Sequence, residues 1–319
     1  MYLDYFGLNE PPFRITPNTE YWHGGGQRGE LLGALLYAID QGEGMVKVVG
    51  EVGAGKTMLC RKLAGQLPGH VDSVYLGNPT LGADDTLAAI LVELGETPTE
   101  GRQARLAQLN SVLLARHANG RRVVVFVEEA QGMSLDSLEF LRLLTNLETA
   151  TDKLLQIVLF GQPELDVLLA DPKIRQLKDR ITVSLRLPPL AASEVGAYLR
   201  TRLAVAGYRG PDLFPPALVA DLARASGGLS RRINVLADKM LLAAYAGQTH
   251  TLTRAHLAAA TADAESAAAR RTWPAKRVLT ALALAAAAVG VAVWLAFTLA
   301  SPPADPAAPG AAQTPGRPG

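Results

Sequence analysis

Apolar residues recur over the first 187 positions in short unbroken runs, at 45–49, 74–76, 123–127, 154–160 and 181–187. Runs of that length without alternation predict strands buried on both faces, as in a parallel sheet. Between them the stretches 57–66, 84–94, 102–117 and 135–147 read as helices. Strand alternating with helix predicts an α/β fold with a doubly wound parallel sheet. Beyond 188 the strand signal stops. There, 194–206, 216–225, 231–246 and 254–263 read as four helices separated by Gly and Pro breaks. The pattern divides a sheet domain, 1–187, from a small helical domain, 188–265.

The pattern changes again near 266. A basic linker, 266–277, carries Arg270, Arg271, Lys276 and Arg277, and the 23 residues 278–300 then contain no charge. As a helix that run would reach roughly 35 Å, enough for a hydrocarbon core of about 30 Å. Trp273 and Trp294 stand near its two ends, where amphipathic rings favour the interface. The remaining 301–319, rich in Pro, Ala and Gly, cannot form a core and is expected to be disordered. Four cations precede the run and Arg317 alone follows it. The expected topology is therefore a single-pass membrane protein with 1–277 cytoplasmic and the tail across the membrane.

Composition narrows the partners. With 49% hydrophobic and 19% charged residues, the chain has ample material for a core. Lys+Arg 31 against Asp+Glu 30 leaves a net charge of +1, so no basic field announces a nucleic acid, and none is expected as partner. Cys60 alone excludes an internal disulfide, and no Cys/His cluster has zinc spacing. The opening residues lack a basic segment followed by an apolar one, so no secretory signal is expected.

The strongest chemical motif is Gly50-Glu51-Val52-Gly53-Ala54-Gly55-Lys56-Thr57, followed by Met58. It matches the P-loop pattern and falls between a strand and a helix, where the mechanism requires it. Its glycines let backbone N–H groups wrap a phosphate, Lys56 reaches the β- and γ-phosphates, and the Thr57 hydroxyl ligates Mg²⁺. ATP with Mg²⁺ is the expected ligand. The buried run 123–127 ends in Glu128 and Glu129, the arrangement that places carboxylates beside the metal and the attacking water. Glu128 is read as the metal-side acid and Glu129 as the residue that polarises water. Gln162 ends the next apolar run and is read as a γ-phosphate sensor, or as a helix cap before Pro163. Arg180, before the last strand, is placed to act as a finger toward a neighbouring subunit, with Arg175 next in line; a solvated basic turn is the alternative. Arg231 opens a helix of the second domain and is read as pointing back at the nucleotide, or as an ordinary surface arginine.

Taken in order, Tyr5-Phe-Gly-Leu8 with Pro12-Phe13, the P-loop, Glu-Glu-Ala-Gln, Leu-Phe-Gly-Gln-Pro-Glu-Leu and Gly-Gly-Leu-Ser-Arg-Arg-Ile-Asn-Val-Leu resemble the ExeA/GspA-type AAA+ ATPases of bacterial secretion and pilus biogenesis. The likeness spans about 1–265 and is closest to the members that serve MSHA pilus biogenesis. It implies an AAA+ fold with a helical lid, homo-oligomerisation, and ATP hydrolysis between subunits in support of a pilus or type II secretion assembly. By position it places Lys56 and Thr57 at Walker A, Glu128 and Glu129 at Walker B, Gln162 at sensor 1 and Arg231 at sensor 2. Two departures stand out. Glu128 occupies a position where the family usually has Asp, which leaves open a nucleotide-dependent scaffold with little turnover. Only 19 residues follow the apolar run, where secretion members carry a peptidoglycan-binding region, so cell-wall binding is not expected. A DNA-associated role like that of transposition helpers is disfavoured by the charge balance and the expected anchor.

Overall fold

Five apolar runs become five parallel strands: β1 (Met45–Gly50), β2 (Val71–Leu76), β3 (Arg122–Val127), β4 (Leu155–Gly161) and β5 (Val183–Leu187). They lie in the order β2-β3-β4-β1-β5. Val46 pairs with both Val158 and Val183, which sets β1 between β4 and β5. Its carboxyl end therefore opens within the sheet rather than at its margin, beside the ends of β4 and β5, with β3 one strand further on. The structure, a computed structural model, describes residues 2–271 and the isolated position 289.

Helices α1 (Tyr2–Phe6), α2 (Gln27–Asp40), α3 (Lys56–Ala64), α4 (Ala83–Glu93), α5 (Arg102–Ala118), α6 (Leu135–Leu144), α7 (Glu164–Leu168) and α8 (Arg175–Lys178) precede or intersperse the strands. Val46, Val48, Val124, Phe126, Val158 and Phe160 pack with α2 and α3 on one face of the sheet. Their sequence neighbours Val123, Val125, Leu155 and Ile157 pack with α4, α5 and α6 on the other. Both faces are dry, which is why these strands show no polar alternation. The pattern reading does not single out α2. That helix starts after Gly26 (φ 56°) with no side-chain cap, so its start carries no local signal.

After β5 come α9 (Ala192–Val205), α10 (Pro216–Ser226), α11 (Ser230–Ala246) and α12 (Arg254–Arg271). Their core also contains Phe6, Leu8, Phe13 and Tyr21. Phe13 meets Phe214 edge-on at 6.0 Å. The segment before α2 thus packs into the helical region, although the pattern reading groups it with the sheet; only long-range contacts reveal this. The helix expected at 254–263 continues to Arg271, into the expected linker, because residues 258–269 are dominated by alanine, the best helix former.

Residues 1–264 form one unit and 265–319 another. Among the described residues no helix is long and apolar enough to cross a membrane. The span expected at 278–300 and the tail at 301–319 lie outside the described residues.

Candidate functional site

The site is built where β1 ends. The chain leaves the strand at Gly50, turns through 51–55 and enters α3 at Lys56. Gly53 and Gly55 take φ of 80° and 108°, a region that glycine enters at little cost. A Cβ on Gly53 would meet the Cβ of Arg231 at 2.9 Å. Lys56 is only 6% exposed, and its Nζ donates to the carbonyls of Gly50 at 2.8 Å and Glu51 at 3.2 Å. Burial draws its ammonium below the ordinary value, against the pull of Glu129, Glu51, Glu128 and Glu164. A buried cation bonded to carbonyls alone leaves positive charge available to an anion.

β3 delivers the two acids. The Thr57 hydroxyl donates to Glu128 Oε2 at 2.5 Å, and the Tyr75 hydroxyl donates to Glu128 Oε1 at 2.8 Å. Glu129 sits at φ 52°, a left-handed conformation uncommon outside glycine. Its Oε2 accepts from Gln131 Nε2 at 2.6 Å and from Gln162 Nε2 at 2.9 Å. The Gln162 backbone N–H in turn donates to Gln131 Oε1 at 3.0 Å. Burial pushes the Glu129 carboxyl up, but the two amide donors and Lys56 outweigh it and hold the group below its ordinary value. Strained backbone at a hydrogen-bonded carboxylate is a common feature of functional sites.

One cleft of about 520 Å³ is lined by Val52, Gly53, Gly55, Lys56, Thr57 and Met58, together with Glu129, Gln162 and Arg231. Gly50, Glu51 and Ala54 shape the loop without lining the cleft, and Glu128 meets it through Thr57. Arg180 is exposed and away from this lining; its guanidinium donates to Asn146 Oδ1 at 2.9 Å. Arg175 is likewise exposed and outside it.

Several residues emerge only in three dimensions. Arg28, 6% exposed, donates to the Ala54 carbonyl at 2.7 Å and to Ser230 Oγ at 3.1 Å, joining α2, the loop and α11. Arg202 donates to the Pro12 carbonyl at 2.6 Å and lies 4.7 Å from the Tyr21 ring centre, closing the cleft's far wall. Tyr75 and Gln131 hold the two acids. Of these, Gln131 alone carries a sequence signal, as the end of Glu-Glu-Ala-Gln.

The donor set suits a divalent cation with a phosphate ligand. Among the described residues no cluster of three His, Cys, Asp or Glu could hold a metal unaided. Thr57 and Glu128 offer hard oxygens at the start of a phosphate-receptive helix, and Mg²⁺ takes few protein oxygens when phosphate supplies the rest.

Residues 39–169 match the family described as AAA domain. The chain is 43% identical over 275 residues to general secretion pathway protein A of Aeromonas hydrophila, covering 86% of this chain and 50% of that protein. It thus spans half the length of that curated relative. In fold it is similar to the ORC2 protein of Aeropyrum pernix, solved as ADPNP–ADP complexes, with a TM-score of 0.61 at 18% identity, covering 80% of this chain and 71% of that one. It is also similar to the RuvB Holliday junction branch migration motor of Thermotoga maritima, with a TM-score of 0.51 at 18% identity over 78% of this chain and 72% of that one. A P-loop beside an acidic strand end, inside a five-stranded parallel sheet followed by four helices, and 43% identity over most of the chain lead to one family: the chain belongs to the ExeA/GspA-type AAA+ proteins.

Proposed function

We propose that this protein binds Mg-ATP at the cleft and hydrolyses it as a membrane-anchored homo-oligomer that supports assembly of a bacterial envelope machine. The observation that carries the reading is the pairing of Thr57 with Glu128 at 2.5 Å beside the buried Lys56, with Glu129 held in the same cleft. Loop N–H groups and Lys56 would hold the phosphates, and Thr57 with Glu128 would hold the cation. When bound, Mg²⁺ supplies charge neutralisation at the phosphoryl oxygens.

The chain's own groups then divide the work. Glu129 stays anionic at neutral pH, and its Oε2 is taken by Gln131 and Gln162. Its Oε1 is left to accept a proton from water. Gln162, bonded to Glu129, is positioned to register the γ-phosphate. Arg231 reaches the cleft from the lid, so lid and loop would close on the nucleotide together. Arg180, exposed and off its own cleft, suits a finger offered to the next subunit.

The choice of machine rests on likeness. The name of the Aeromonas hydrophila relative favours type II secretion, and the sequence motifs favour MSHA pilus biogenesis. Anchoring in the inner membrane rests on the apolar run 278–300. A second reading, a nucleotide-dependent scaffold with little turnover, is favoured by Glu128, whose two oxygens are both engaged by hydroxyls. Phosphate release by the purified full chain separates the two. The ATPase reading expects Mg-dependent turnover that Glu129→Gln removes; turnover indistinguishable between the two proteins would favour the scaffold.

A further inference from the structure

Tyr75 stands on β2 opposite Phe126 of β3, and paired residues of parallel strands share a face of the sheet. Its ring lies 6.0 Å from that of Phe126. Two residues further along the chain, just past the end of β3, is Glu128, whose Oε1 accepts the Tyr75 hydroxyl at 2.8 Å. The other oxygen, Oε2, accepts from Thr57 at 2.5 Å. A carboxylate on two methylenes has more rotamers than one on a single methylene, so an acid of this length needs a second anchor to hold one position. The phenol is that anchor. With its proton on Glu128, the Thr57 oxygen keeps its lone pairs for another partner.

We infer that Tyr75 is a positioning residue that fits Glu128 to the cation of Mg-ATP, so the longer acid works here only as half of a Tyr75–Glu128 pair. The inference rests on the proposed nucleotide site and names what tunes its metal affinity. Tyr75 does not itself line the cleft. Its effect passes through Glu128 to Thr57.

The test is a double-mutant cycle on the purified full chain. Thermal unfolding is followed at fixed ATP while Mg²⁺ is titrated, and again with ATP in chelator. Tyr75→Phe is expected to raise the Mg²⁺ concentration for half-maximal stabilisation about 10-fold, the scale at which outer-sphere partners tune metal affinity. ATP stabilisation in chelator should be unchanged. In a Glu128→Asp background the shorter carboxylate no longer reaches the phenol, so adding Tyr75→Phe should produce no further shift. An unchanged midpoint in Tyr75→Phe overturns the inference. So does an equal shift in both backgrounds, which is what loss of packing on Phe126 alone would produce. A wild-type chain without any response to Mg-ATP would overturn the nucleotide site itself, and this inference with it.

Discussion

The backbone N–H of Arg231 donates to the Gly53 carbonyl at 3.0 Å, so the first turn of α11 is fastened to the phosphate loop. Gly53 permits this approach because it has no Cβ and sits at φ 80°. Gly53→Ala should cost roughly 1–2 kcal/mol for the left-handed backbone alone, and more from the contact with Arg231. Urea unfolding checks it: the midpoint should fall with little change in slope, and ATP should stabilise the variant less than the wild type.

Glu129 gives a pH signature. A carboxyl held below its ordinary value contributes stability above the unfolded-state pKa, and that contribution is lost as pH falls through the folded-state value. The stability difference between wild type and Glu129→Gln should therefore stay constant across neutral pH and change only below about 4.5, the ordinary carboxyl value. Denaturant midpoints of both proteins over an acid series measure this. A difference that varies between pH 6 and 8 would show that Glu129 is not held as an anion.

Local motifs were the readable part of this site. Gly50 to Thr57 is one continuous loop, and its chemistry needs consecutive residues, so the string alone exposes it. Glu128 and Glu129 are legible because a buried strand rarely ends in two acids without cause. Tyr75 is invisible in the string, since the pairing of β2 with β3 brings it to Glu128 from 53 positions away. Arg202 reaches Pro12 across 190 positions, and the packing of Phe6 and Phe13 against the helices after β5 has the same origin. The strands could be read because burial on both faces leaves apolar runs; α2 could not, because its start has no capping side chain.

Arg180 bonds to Asn146 and stays off its own cleft. If it serves the neighbouring subunit, Arg180→Ala should lower turnover by about 10³- to 10⁵-fold while ATP binding persists. Mixing Arg180→Ala with Lys56→Ala chains should restore part of the activity, since each supplies what the other lacks. Full turnover in Arg180→Ala alone would move the role to Arg175 or remove it.

The proposed topology rests on charge. With Arg270, Arg271, Lys276 and Arg277 ahead of 278–300 and Arg317 alone behind it, a reporter fused after Gly319 should be active only in a periplasmic format. Activity in a cytoplasmic format, or release of the chain from membranes by a salt wash, would reject the anchored arrangement.

The loop at Gly50–Thr57 is proposed to hold Mg-ATP through Lys56, and calorimetry of ATP binding to the full chain decides it. A hydrogen bond from a charged donor contributes about 1.5–3 kcal/mol, so Lys56→Ala should weaken binding roughly 10- to 100-fold. Wild-type binding that requires Mg²⁺ and is lost to that extent in Lys56→Ala is the predicted result. Equal affinity in the two proteins, or no binding by the wild type, would contradict it.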